Sequence, residues 1–216
     1  MLLVRLAAPL LLMLSCSAAA EDGWRLEKDA DGIQVQSRTV EGWAIRETRS
    51  SAQISARLGA LVAVLSDFRA ASQLNPFVKE TRLLSSRDAT HYDFYTLIDL
   101  PWPMSDRDIV NRHRLEQDAR SLTVTIVDEA LTGQMPEQKD LTRITRSHQQ
   151  WTLSPVGEGK VMVELRLLSD PAGSLPASFL NASLVSTPMK SIAKLRELAQ
   201  QAPYRDARPA FIREAP

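Results

Sequence analysis

The stretch YDFYTLIDLPWPMSDRDIVNRH, residues 92–113, decides how this chain folds. Its first half is apolar and aromatic (Tyr92, Phe94, Tyr95, Leu97, Ile98) and reads as a strand. Pro101 and Pro103 fix φ and carry no amide donor, so the chain leaves that strand at Pro101-Trp102-Pro103 and turns. Beyond the corner, Arg107-Asp108 opens a second extended run. Two long strands joined by a rigid corner form an antiparallel pair, the seed of an antiparallel sheet.

Working outward, the pattern from Val78 to Leu168 is almost wholly strand-like. The candidate strands are Val78–Ser85, Thr90–Leu100, Asp106–Glu116, Ser121–Glu129, Arg143–Ser154 and Lys160–Ser169. Turn signals separate them at residues 85–88 and 117–120, at Gly133 with Pro136, and at Gly157-Glu158-Gly159. Upstream, Gly32–Val40 and Trp43–Ser55 alternate as a hairpin broken at Glu41-Gly42. Leu58, Leu61, Val62, Leu65 and Phe68 then recur at helical spacing over Ala56–Phe68, followed by a short helix over Phe68–Phe77 that ends near Asn75-Pro76. Downstream, one long helix runs from Pro176 to about Gln200.

A strand pair, two helices, a meander and a long terminal helix make an α+β protein. A curved antiparallel β-sheet has one face to cover, and a single long C-terminal α-helix laid across it can do so. The expected architecture is therefore a curved antiparallel sheet wrapped around one long C-terminal helix.

Residues 1–20 read as a signal peptide. Arg5 is its one charge, Leu6–Leu14 is an apolar run, and Ala18-Ala19-Ala20 supplies small residues for cleavage before Glu21. The run is too short for an ordinary membrane span of about 20 residues. Export to a bacterial periplasm is the expectation. The rival reading makes Cys16 a lipidated first residue, but Met13-Leu14-Ser15-Cys16 fits such a site badly at its two outer positions. Cleavage after Ala20 removes this single cysteine, so no disulfide stabilises the folded chain. Roughly 196 residues then remain, enough for one domain with a core that is solid or partly hollow. The domain is expected over residues 21–201, and the Pro- and Arg-rich residues 202–216 read as a flexible tail. With 26 basic and 26 acidic residues, no basic excess draws nucleic acid. A monomer is expected.

The passage Pro101-Trp102-Pro103 followed by Arg107-Asp108 resembles the hallmark of START-type (StAR-related) lipid-binding domains. So does the ending, with Leu175-Pro176 and Asn181, then Pro188 and Leu195-Arg196. The resemblance covers nearly the whole chain after residue 20. It implies a helix-grip fold that binds a lipid or other hydrophobic small molecule between sheet and terminal helix, for transfer, storage or sensing, with no catalysis and no cofactor. Such domains place a basic residue six positions after the Arg of Arg-Asp, on the same face; here that position is His113.

The residues agree with a hollow reading. Alternation puts Ile109, Asn111, His113 and Leu115 on the more apolar face of their strand, so an amide and an imidazole are buried and need partners. In a solid core those partners are protein groups; in a hollow one they are a ligand's hydroxyl or carboxyl group, or water. The terminal helix carries Phe179, Leu180, Leu184, Ile192, Leu195 and Ala199 on one stripe, interrupted by Ser183, Thr187 and Ser191. Those hydroxyls either point to solvent or bond back to the preceding turn, or they meet the lumen. The expected cavity lining is Ile109, Asn111, His113, Leu115, Phe179, Leu180, Ser183, Leu184 and Thr187. Members that hold phosphatidylcholine carry aromatic and basic groups on the strand where this chain has Ile109 and Leu115, which favours a ligand with one small polar end.

Pro101, Trp102, Pro103, Arg107 and Asp108 are expected to be structural. Arg107 would bond loop carbonyls or a carboxylate such as Asp99. Trp102 would pack over the cavity end or helix edge, or else, exposed, touch a membrane transiently. Enzyme readings lack support: there is no Gly-x-Ser-x-Gly and no glycine-rich phosphate loop. His91, His113 and His148 lie on separate strands without metal-ligand spacing, so neither catalytic nor metal residues are expected. The alternatives are a helix-grip enzyme of the cyclase or hydrolase kind and a solid-core interaction module.

Overall fold

The computed structural model describes residues 23–214. The expected signal peptide and Cys16 lie outside the described residues. Ten strands form one antiparallel sheet: β1 (Arg25–Ala30), β2 (Ile33–Thr39), β3 (Arg46–Ser55), β4 (Val78–Asp88), β5 (His91–Ile98), β6 (Arg107–Gln117), β7 (Val124–Ala130), β8 (Thr142–Arg143), β9 (Ser147–Gly157) and β10 (Lys160–Ser169). Their order is β1-β2-β3-β10-β9-β7-β6-β5-β4, with the two-residue β8 lying parallel to β6 off this path. Helices α1 (Leu58–Ser66) and α2 (Ala71–Leu74), joined by a 3-10 turn at Phe68–Ala70, connect β3 to β4. Helix α3 (Ala177–Leu198) closes the chain across the sheet. This is the expected α+β helix-grip fold.

Three local expectations need correction. A first strand, Arg25–Ala30, pairs with β2; its exposed, charged sequence gives no apolar alternation to betray it. The run expected from Arg143 to Ser154 is two strands, because Thr142–Arg143 pairs with β6 whereas Ser147 onward pairs with β10. The C-terminal tail is docked, not loose. Tyr204 and Ile212 pack on the core, Glu214 Oε1 accepts from Arg57 at 2.9 Å and from the Gly59 amide at 3.0 Å, and Arg213 exchanges bonds with Gln117.

Helix α3 divides the molecule. Its C-terminal half buries Ile192, Leu195 and Leu198 against α1 and the inner faces of β2, β3, β9 and β10, where Ile33, Ile54, Leu61, Trp151 and Val163 complete a solid core. Its N-terminal half, from Phe179 to Leu184, carries apolar side chains that are only half-buried. Apolar side chains of one helix stripe stay half-buried when the surface opposite stands off, and here it does. The outer edge strand β4 carries three bulges and mostly exposed side chains, a form that discourages edge-to-edge association.

Candidate functional site

Strand β6 is the inner wall. The β5–β6 register pairs Ile98 with Arg107, Phe94 with Asn111 and Tyr92 with His113, which fixes Arg107, Ile109, Asn111 and His113 on the face beneath α3. Between this face and the helix lie two adjoining chambers. The outer one, of about 410 Å³, is bounded by the start of β3, the β10–α3 loop and the N-terminal half of α3. The inner one, of about 220 Å³, reaches down to α2 and to the middle of β6, β7 and β9. Ile98, Ile144, Leu167, Ser169, Thr187 and Pro188 border both and form the neck.

The predicted lining residues fall as follows. Phe179, Leu180, Ser183 and Leu184 border the outer chamber, Ile109, Asn111 and His113 the inner one, and Thr187 both. Leu115 is a correction. It is buried in the solid core that also holds Val124 and Ile126, because the cavity ends at the Tyr92–His113 pair before the strand does. Ser191, expected among the lumen hydroxyls, borders the inner chamber, but its hydroxyl donates to the Leu74 carbonyl at 2.8 Å and so ties α3 to α2.

At the inner end, His113 is 1% exposed and lies in a cluster of polar side chains. Its Nδ1 is 2.8 Å from Asp128 Oδ1, and Gln149 donates to the other Asp128 oxygen at 3.2 Å. The Tyr92 ring stacks on the imidazole with centroids 4.2 Å apart, and its hydroxyl donates to the Ser66 carbonyl at 3.2 Å. Burial, reinforced by the negative charges of Asp128 and then Asp67, pushes the Tyr92 phenol well above its ordinary range, so it stays a neutral donor. With Nδ1 spent on Asp128, Nε2 is the ring nitrogen left to the cavity. That Nε2 is buried and has no protein partner. An unmet buried polar atom costs roughly 1–3 kcal/mol, and this one borders a cavity. Sequence reasoning missed Tyr92, Asp128 and Gln149 as its companions, although the period-two set Val124, Ile126, Asp128 marks the aspartate as inward-facing.

The corner is structural at Arg107-Asp108. Arg107 donates to the carbonyls of Ser105, Pro171 (3.3 Å) and Ala172 (3.4 Å), tying the β5–β6 corner to the β10–α3 loop. Carbonyls therefore take the place suggested for Asp99, which instead lies 3.9 Å from Lys79. On the opposite face, Asp108 holds Arg143 in a two-bond pair at 2.7 and 2.8 Å, and Arg143 also grips the carbonyls of Met135 and Pro136. Trp102, between Pro101 and Pro103, is a correction to the packed reading: it is 92% exposed and covers nothing. Among the described residues no group of three or more His, Cys, Asp or Glu is placed to hold a metal.

A curved antiparallel sheet gripping its C-terminal helix above a two-chambered, largely apolar cavity defines a hollow helix-grip domain. The chain is similar to the STAR-related lipid transfer protein of Xanthomonas axonopodis: 36% identity, TM-score 0.75, with 83% of this chain and 100% of that one covered. It therefore belongs to the StAR-related lipid transfer (START) family. Human STARD10 (21% identity, 85% and 76% of the two chains, TM-score 0.74) and human StAR-related lipid transfer protein 5 (16%, 84% and 88%, 0.74) share the fold. An uncharacterized protein of Pseudomonas aeruginosa is 29% identical over 185 residues, covering 86% of this chain and 90% of that protein. No family model matches the chain.

Proposed function

We propose that the protein binds one lipid or lipid-like molecule in the two-chambered cavity and carries it without transforming it. The observation that carries this reading is the orphaned His113 Nε2 in the polar cluster at the deep end of a largely apolar cavity. Chambers of 410 and 220 Å³ suit one small-molecule ligand. Apolar burial, worth about 25 cal/mol per Å², supplies the affinity, and a hydroxyl hydrogen-bonded to Nε2 sets the orientation. The names of the Xanthomonas and human relatives support transfer as the role. Exchange requires the N-terminal half of α3 or the corner loop to move aside. Trp102, exposed on that loop, suits a transient membrane contact, since an indole partitions into the interface of a bilayer. The protein acts as a monomer, exported to a bacterial periplasm after loss of residues 1–20.

The test is to plug the neck. Thr187→Trp should abolish the fluorescence gain of the neutral dye N-phenyl-1-naphthylamine while leaving the circular dichroism and melting transition in place. Undiminished dye uptake would refute a cavity site. A second reading, an acid–base enzyme, draws on one observation: Asp128 orients His113 as a carboxylate orients a catalytic imidazole. Turnover of an extracted ligand by the wild type and its loss in His113→Ala would favour that reading; retention without turnover in the wild type would exclude it.

A further inference from the structure

The outer chamber carries an electrostatic imbalance. Of the residues that border it, Arg46 and Arg107 are the charged ones, and no carboxylate borders it. Arg46 is already paired with Glu27 at 2.6 Å, and Glu27 is held below the ordinary carboxylate range by the Ser37 hydroxyl and its arginine neighbours against the effect of burial. Arg107 is 3% exposed and has no ion-pair partner among the described residues. Its three acceptors are neutral carbonyls, one for Nε and one for each terminal nitrogen, which leaves one N–H on each terminal nitrogen unspent. The carboxylate next to it in sequence, Asp106, accepts from the Leu100 amide at 3.1 Å and lies off the chamber wall. The first turn of α3, at the same mouth, holds no acidic residue. Burial accordingly lowers the Arg107 pKa despite the charge of Asp106. A guanidinium fixed in an apolar wall without a counter-charge favours an anion that brings one.

Arg107 and His113 share one face of β6, six residues apart, or roughly 20 Å of extended strand. The cavity thus has a cation at the mouth and, at the deep end, a polar cluster in which the His113 Nε2 lacks a protein partner. We propose that the outer chamber binds the carboxylate of a long-chain organic acid on Arg107, with the chain running inward to place a terminal oxygen function beside His113. This rests on the cavity being a lipid site. A single carboxylate matches the two unspent N–H groups, and a single chain matches chambers of this size.

The test compares 16-hydroxyhexadecanoate with its methyl ester, which differ in charge at one end only, in equilibrium partition with delipidated protein at pH 8. Wild type should prefer the acid by about tenfold. Arg107→Gln should bring acid and ester to equal affinity, whatever its absolute affinity for the ester. Should Arg107→Gln fail to fold, Arg107→Lys, which keeps the charge and loses the fork, should reduce the preference without erasing it. Equal binding of acid and ester by wild type, or an undiminished preference in Arg107→Gln, overturns the carboxylate assignment and leaves the lipid site standing. Binding of neither probe by the wild type overturns both.

Discussion

Asp108 and Arg143, 1% and 8% exposed at their side chains, pin the outer face of β6 to β8 and to the segment that carries Met135 and Pro136. Removing one partner leaves the other charge buried and alone, so Asp108→Ala should lose about 3–5 kcal/mol in urea denaturation, whereas Asp108→Leu with Arg143→Met should recover much of that loss. On the inner face, alternation alone was enough to place Ile109, Asn111 and His113 beneath α3, because a strand's side-chain period is two and the corner at Pro101–Pro103 sets where the strand begins. Two things escaped it. Periodicity tells which face a residue occupies but not how far along the strand a cavity extends, so Leu115 was assigned to the lining and lies in the core. It also cannot pair strands, so Asp128 and Gln149, brought to His113 from β7 and β9, were not foreseen.

At the scale of elements, the N-terminal half of α3 and the corner loop border the outer chamber. Pro188 sits inside α3 at the neck, without the amide that would bond the carbonyl four residues back. Pro188→Ala should restore that bond, raise the melting temperature by the equivalent of about 1–3 kcal/mol, and slow the release of a bound dye from delipidated, reloaded protein in stopped-flow fluorescence. Trp102→Ala should leave stability within about 0.5 kcal/mol, since the ring packs on nothing, yet slow dye transfer between phosphatidylcholine vesicles. Unchanged transfer would remove the membrane role given to that loop. The helices and long strands were legible because their apolar periods run over many residues. The two-residue β8 was not, because a parallel pairing with β6 is a tertiary event that leaves no local period.

For the whole molecule, the residues after Ala202 form a strap. Tyr204 donates to Asp67 at 3.0 Å, Ile212 packs on the core, and Glu214 closes over α1. Composition concealed this, since Pro and Arg are as frequent in loose tails as in extended segments held by side-chain bonds. Gly59 makes the close approach feasible: a Cβ there would stand 2.6 Å from Glu214 Oε1 and 3.1 Å from the Ala207 carbonyl. Gly59→Ala should therefore displace the strap and destabilise the fold by about 1–3 kcal/mol. The strap is also acid-sensitive. Burial disfavours the Asp67 charge, but the Arg69 side chain, the Arg69 amide and the Tyr204 hydroxyl outweigh it and hold the carboxyl below its ordinary value of 3.8. A carboxyl depressed in the folded state adds stability above the unfolded value and loses it as pH falls through the folded one. Stability should thus fall on acidification below about pH 3.8, and Asp67→Asn should remove that part of the decline in pH-dependent urea denaturation.

The central claim is that sheet and helix enclose one hydrophobic ligand. Native mass spectrometry of the protein isolated from its own cells, without detergent, tests it most directly. The account predicts a 1:1 adduct of a single small hydrophobic molecule that organic extraction removes and that His113→Phe retains less well. A bare polypeptide mass, with no adduct formed on adding long-chain lipids to the extracted protein, would contradict it.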